Sequence, residues 1–131
     1  MDIIVKAFAV ALILVFRAVA SSAEPTDVSL VQLIATPGQY QGKKVRVIGY
    51  LHLEFEGNGL YLHKEDYDRS LYKNGVWVAV EGPMFKTALS HNNRYVLIEG
   101  FFDRKDQGHL GLWSGALTRI ERVDPWEPKS K

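Results

Sequence analysis

The chain has 131 residues, with 16 Lys and Arg against 15 Asp and Glu, and no cysteine. That length suits one domain of ordinary size. Without cysteine there are neither disulfides nor thiolate metal sites, so stability must come from the core alone, and the near-neutral charge disfavours partners held through a phosphate backbone.

Residues 1–23 read as a segment apart. Lys6 is followed by an apolar run over 7–16 and then by small residues. The run is too short to cross a bilayer, which takes roughly 20 apolar residues. Ala18-Val19-Ala20 and Ser21-Ser22-Ala23 both fit the small-x-small rule of a signal-peptidase site, although Arg17 interrupts the approach to it. The pattern predicts a secretory signal peptide cut after Ala20 or Ala23, hence a periplasmic or secreted protein without a transmembrane span. An uncleaved membrane anchor is the alternative, and with no cysteine a lipid-modified cysteine is excluded. Removing 1–23 takes away Lys6, Arg17 and Asp2, which leaves 14 cationic and 14 anionic residues. The predicted domain spans 24–124, and the proline-bearing stretch 125–131 reads as a flexible tail.

Ser29 and Gln32 make a capping box at the start of a short helix, with Val28 and Leu33 spaced for a hydrophobic staple. Leu30, Leu33 and Ile34 give that helix one apolar stripe, which suits a plug on one end of a sheet. Pro37 stops it or starts one further turn.

The stretch 43–65 then reads as a hairpin. Val45, Val47, Gly49, Leu51, Leu53 and Phe55 alternate with Arg46, Ile48, Tyr50, His52, Glu54 and Glu56. Asn58-Gly59 supplies a two-residue turn signal. That turn sets Phe55 opposite Leu62 on the inner face and Glu54 opposite His63 on the outer face. The outer face then carries Tyr50, His52, Glu54, Glu56, Tyr61 and His63.

Residues 65–74 are polar and aperiodic, so they read as a loop with room for one helical turn, and its tyrosines read as anchors onto the barrel rather than as a lid. A third strand over 75–80 turns Val76, Val78 and Val80 inward and Trp77 outward. A short helix follows over 83–89, then a strand over 95–103 that Gly100 allows to bulge. After a turn over 104–108, a fifth strand runs over 109–120, interrupted by Gly111 and by Ser114-Gly115. Five strands, a helix between the third and fourth, and a capping N-terminal helix give an all-β fold with short helices, a five-stranded OB-fold-like barrel. An antiparallel sandwich is the alternative.

The segments LIATPGQYQGKKVRVIGYLHLEFEGNGLYLHKEDY, NGVWVAV and GHLGLWSGALTRI resemble a family of small, uncharacterised, exported bacterial proteins with a predicted OB-like fold. The likeness covers residues 28 to about 121, and the element Pro37, Tyr40, Gly42, Lys43 is similar to one in other periplasmic OB-fold proteins. The resemblance implies fold and compartment and carries no reaction.

Two site readings follow. Tyr50, Tyr61 and Trp77, with His52, Glu54 and His63, form an outer face able to bind a small molecule, glycan, peptide or envelope protein. Alternatively, His52, Glu54 and His63 supply two imidazoles and a carboxylate for zinc or copper. A cross-strand Glu–His pair is also ordinary sheet chemistry. An oligonucleotide-binding OB-fold is a further alternative, disfavoured by neutral charge and by Glu54 and Glu56. Ser114 lacks the strand-turn-helix setting of a nucleophile, and the i, i+2 carboxylates Glu54 and Glu56 lack the enclosure of a glycosidase pair. The sequence thus reads as a non-enzymatic binding module with no required cofactor.

Overall fold

A computed structural model describes residues 24–130. The predicted signal peptide lies outside the described residues. The elements are β1 (Thr26–Asp27), α1 (Leu30–Ala35), β2 (Lys44–His52), β3 (Gly59–Tyr61), α2 (Lys64–Asp68), β4 (Gly75–Val78), α3 (Gly82–Leu89), β5 (Arg94–Asp103) and β6 (Ala116–Pro125), with single 3-10 turns at Pro37–Gln39, Tyr72–Asn74 and His109–Gly111.

Strands β2, β3, β4, β6 and β5 pair in that order, and β5 returns to β2, so the barrel is closed. β4 and β6 run parallel and the other barrel pairs antiparallel. β1 pairs parallel to β2 from outside the barrel. This is the five-stranded OB-like barrel expected from the sequence.

The capping box forms as read. Ser29 Oγ accepts from the Gln32 amide at 3.1 Å, and the Ser29 amide donates to Gln32 Oε1 at 2.9 Å. Leu30 and Leu33 enter the core beside Val45, Val47, Leu51, Val76, Val78, Ile98 and Leu117, so α1 does plug the barrel. The β5–β6 register shifts between Glu99 and Phe101, where Gly100 was expected to bend the strand.

Three expectations need correction. The first hairpin has a six-residue connection, 53–58, in place of a two-residue turn. Tyr50 pairs with Tyr61 and His52 with Gly59, so Glu54 does not face His63. The cause is local. Asn92 Oδ1 accepts from the Leu53 amide at 2.8 Å and Asn92 Nδ2 donates to the Leu53 carbonyl at 3.3 Å, which takes Leu53 out of the ladder. The Gly57 amide then closes a turn on the Glu54 carbonyl, and Glu56 adopts a φ of 57°. Phe55, expected inside, is 91% exposed.

Secondly, the last strand starts later and ends later than read. Gly108, Leu110 and Gly111 all have positive φ and fold 108–111 into a turn. Thirdly, the expected tail begins inside β6. Pro125 pairs with Val96, and the Trp126 amide donates to the Tyr95 carbonyl at 2.9 Å. β1 was not anticipated, because two residues are too few for alternation to show.

One charge row crosses four strands. Cross-strand neighbours Asp27, Arg46, Glu99 and Arg122 join through contacts of 3.2, 2.8 and 2.9 Å, all on the outside of the barrel. Burial pushes the Glu99 carboxyl up, but the hydrogen bonds and charges of Arg46 and Arg122 outweigh it, so its pKa is lowered. A carboxylate with a lowered folded-state pKa adds stability above its unfolded pKa and loses it as pH falls through the folded one. We therefore expect Glu99→Gln to cost on the order of 1 kcal/mol at neutral pH. In urea melts at stepwise lower pH, the gap to the native chain should close on the acid side of the ordinary carboxylate range.

Candidate functional site

The β2–β3–β4 register puts Tyr50, His52, Tyr61 and Trp77 on one outer face, because Tyr50 faces Tyr61, His52 faces Gly59, and Gly59 faces Trp77. The sequence grouped these four correctly. The real register differs from the expected one by six residues, an even step, and an even step leaves every side chain on its face.

Most of that face is covered. Tyr67, from α2, stacks on His52 with centroids 3.9 Å apart and a 24° interplanar angle. It also approaches Tyr61 at 5.7 Å and Tyr50 at 6.3 Å. Tyr50 is 4% and Tyr61 1% exposed. Burial raises the pKa of Tyr50 and Tyr67 and pushes that of Tyr61 up to about 12, so all three phenols stay neutral.

Asp66 holds this cover in place. It is 8% exposed and accepts from the His63 amide at 2.8 Å and from Asn74 Nδ2 at 2.9 Å. The loop 65–74 is thus the anchor its tyrosines implied. His52 Nδ1 meets Asn93 Oδ1 at 2.6 Å, and an amide oxygen only accepts, so Nδ1 carries the proton.

The expected metal set does not assemble. His52 Nε2 lies 3.5 Å from Glu54 Oε2, but His63 sits at the N-cap of α2, with its Nδ1 3.8 Å from Asp66 Oδ2. Among the described residues no group of three or more His, Cys, Asp or Glu side chains is placed to hold a metal ion.

The Trp77 end of the face is built differently. Trp113, 1% exposed, packs edge-on against Trp77 at 4.9 Å and against Tyr72 at 5.2 Å. Gly59 leaves the room this needs, since a Cβ there would lie 2.8 Å from Trp113 Nε1 and 2.7 Å from Tyr61 Cε2. Gly108, at φ 70°, lies so close over Trp77 that a Cβ would fall 2.7 Å from the indole. Ser114 is structural, donating through Oγ to the Lys73 carbonyl at 2.6 Å.

Beyond Gly108 the Trp77 indole borders an open cleft of about 700 Å³. One wall is the 53–58 connection, with Leu53, Glu54, Phe55, Glu56 and Asn58. The opposite wall is Asp106, Gly108 and His109, and α3 contributes Phe85 and Leu89. Glu56 Oε2 and His109 Nε2 meet at 3.2 Å and clasp the two loops together. Of the six residues picked from the sequence, Glu54 and Trp77 line this cleft. Phe55, Phe85, Leu89, Asp106 and His109 were missed. Phe55 was hidden by its place in the alternation, and Phe85 and Leu89 by lying on a helix read only as a connector.

A second groove of about 620 Å³ involves Ile48, Leu62, Leu97 and Trp126. No described helix is long and apolar enough to cross a membrane.

Fold and site together define a class of architecture: an OB-like barrel whose open cleft lies between the connection after its first barrel strand and the loop before its last. Comparison with known protein families and with curated proteins finds no match to the chain.

Tyr67→Ala separates cover from ligand surface. It should cost about 1–3 kcal/mol in denaturant melts and expose the Tyr50 and Tyr61 phenols to titration at lower pH. Unchanged stability would mean that α2 is not an anchor.

Proposed function

We propose that this chain is an exported, non-enzymatic binding module whose ligand lies in the cleft beside Trp77. The observation that carries the reading is the Trp77 indole bordering an open cleft between two loops. OB-fold barrels bind on the face of their second and third strands and between these same loops. About 700 Å³ falls within the range of small-ligand sites, and the walls are mainly apolar with a few polar groups. Phe55, Phe85 and Leu89 are exposed around it at 91%, 39% and 48%, side chains that a partner would cover. Candidate ligands are a small molecule, a glycan, a peptide or an envelope protein. An oligonucleotide is a poor fit, since Glu54, Glu56 and Asp106 would repel its phosphates. Export rests on the pattern of residues 1–23 and on the family resemblance.

Protein-observed NMR with a mixed set of glycans, peptides and metabolites tests the site. A true ligand should shift the Trp77 indole signal together with residues 53–58 and 106–109. Trp77→Ala should weaken it at least about tenfold, roughly 1.4 kcal/mol, with the barrel still folded. Shifts confined to the groove around Ile48 and Trp126 would move the site there. For export, the intact mass of the protein recovered after expression of the full chain should correspond to a start at Ser21 or Glu24. The unprocessed mass would favour the membrane anchor.

A further inference from the structure

We infer that the cleft takes an extended segment of another protein in which a Lys or Arg stands next to apolar side chains; this rests on the cleft being the binding site. The charge of the walls is one-sided. Glu54 and Glu56 line one loop and Asp106 the other, and no Lys or Arg is among the described residues that line the cleft. Two loops of the same sign facing each other across a low-dielectric floor concentrate negative potential between them, which selects a cation. The floor is apolar and aromatic, so Trp77 and Phe85 can pack on an aliphatic stem or accept a cation over the ring.

The spread of the carboxylates argues for a chain rather than a single ion. They do not gather into a group that could hold a metal ion. Each sits in a different local setting: Glu54 Oε2 lies 3.5 Å from His52 Nε2, Glu56 Oε2 lies 3.2 Å from His109 Nε2, and Asp106 Oδ1 accepts from the Gly108 amide at 2.9 Å. Charges set out along both walls over a continuous apolar floor match a ligand that alternates cationic and apolar side chains, as an extended peptide does. The exposed Phe55 at the tip of one wall and Leu110, 79% exposed, beside His109 on the other extend that apolar surface past the cleft. A partner larger than a free amine would reach both.

The test titrates the folded protein with three probes, followed by NMR: a blocked Leu-Lys-Leu-Lys-Leu peptide, its Glu-for-Lys counterpart, and a neutral chitotetraose. The basic peptide should shift Trp77 and both loops. Its affinity should fall by about fivefold or more between about 50 and 250 mM NaCl. It should fall at least about tenfold in the double variant Glu54→Gln, Glu56→Gln. The control double variant Glu65→Gln, Asp68→Asn removes the same net charge from α2, outside the cleft lining, so it should leave the basic peptide bound; a loss there equal to that of the cleft variant would assign the effect to net charge and overturn the inference. Equal binding of the acidic peptide, or no cleft shifts with any probe, would overturn it too. Chitotetraose shifting the cleft while the basic peptide does not would overturn it and leave the site reading standing. Basic-peptide shifts confined to the Ile48–Trp126 groove would remove both.

Discussion

The structure depends on how one strand, β2, is paired. Along its length from Lys44 to Leu51 it is bonded to β5. On its other edge it is shared, first with β1 at Val45 and Arg46 and then with β3 from Tyr50 to His52. From β3 the pairing runs through β4 and β6 to β5 and so back to the first side of β2, which closes the sheet. Closure makes the interior small, and it is filled by Val, Leu, Ile and Phe from every strand with α1 at one end. Closure also requires β2 to hand over to β3 quickly. That handover happens at Leu53, where Asn92 takes the backbone groups that a longer ladder would have used. The 53–58 wall of the cleft exists because the strand stops there.

Once the barrel is closed, its outer face has to be managed. A row of aromatic side chains on an exterior sheet is apolar surface in water, which folded chains rarely leave open over a large area. Here two covers divide the row. Tyr67 descends from α2, held by the buried Asp66, and removes Tyr50 and Tyr61 from solvent. Trp113 comes from the loop before β6 and packs against Trp77. The charge row from Asp27 to Arg122 handles another part of the exterior in the opposite way, with paired ions instead of buried rings.

How much of this was legible in the sequence follows from the range of the interactions. The capping box of α1 and the bulge at Gly100 are decided within a few residues, so they could be read directly. The inner and outer faces of β2, β3 and β4 depend only on alternation, and alternation survives any even change of register. That is why Tyr50, His52, Tyr61 and Trp77 were grouped correctly although the hairpin turn was not. The turn itself was settled by Asn92, about forty positions away, and no local signal reports it. Asn58-Gly59 has the composition of a tight turn, yet Gly59 is spent in the ladder opposite His52 and Trp77, where its missing side chain makes room for Trp113. The three residues of the metal reading lie apart for the same cause, since that set needed Glu54 to lie opposite His63.

The uncovered part of the aromatic row is the surface on which the proposed binding reading rests. Tyr50, His52 and Tyr61 are covered within the chain by Tyr67. Trp77 is covered from one side only, by Trp113 and by Gly108 at a φ that side chains avoid. A larger residue at 108 would press into the indole, so the close approach is bought with a glycine and the outer edge of the ring is left toward the cleft. The neighbouring walls do not finish the cover. Phe55, Phe85 and Leu89 stand around it exposed, and the contact of Glu56 with His109 ties the loops to each other without closing over the floor. The fold buries three aromatic side chains of this row under a dedicated element and leaves the fourth at the border of an acidic, apolar-walled cleft, and the proposed binding reading rests on that contrast.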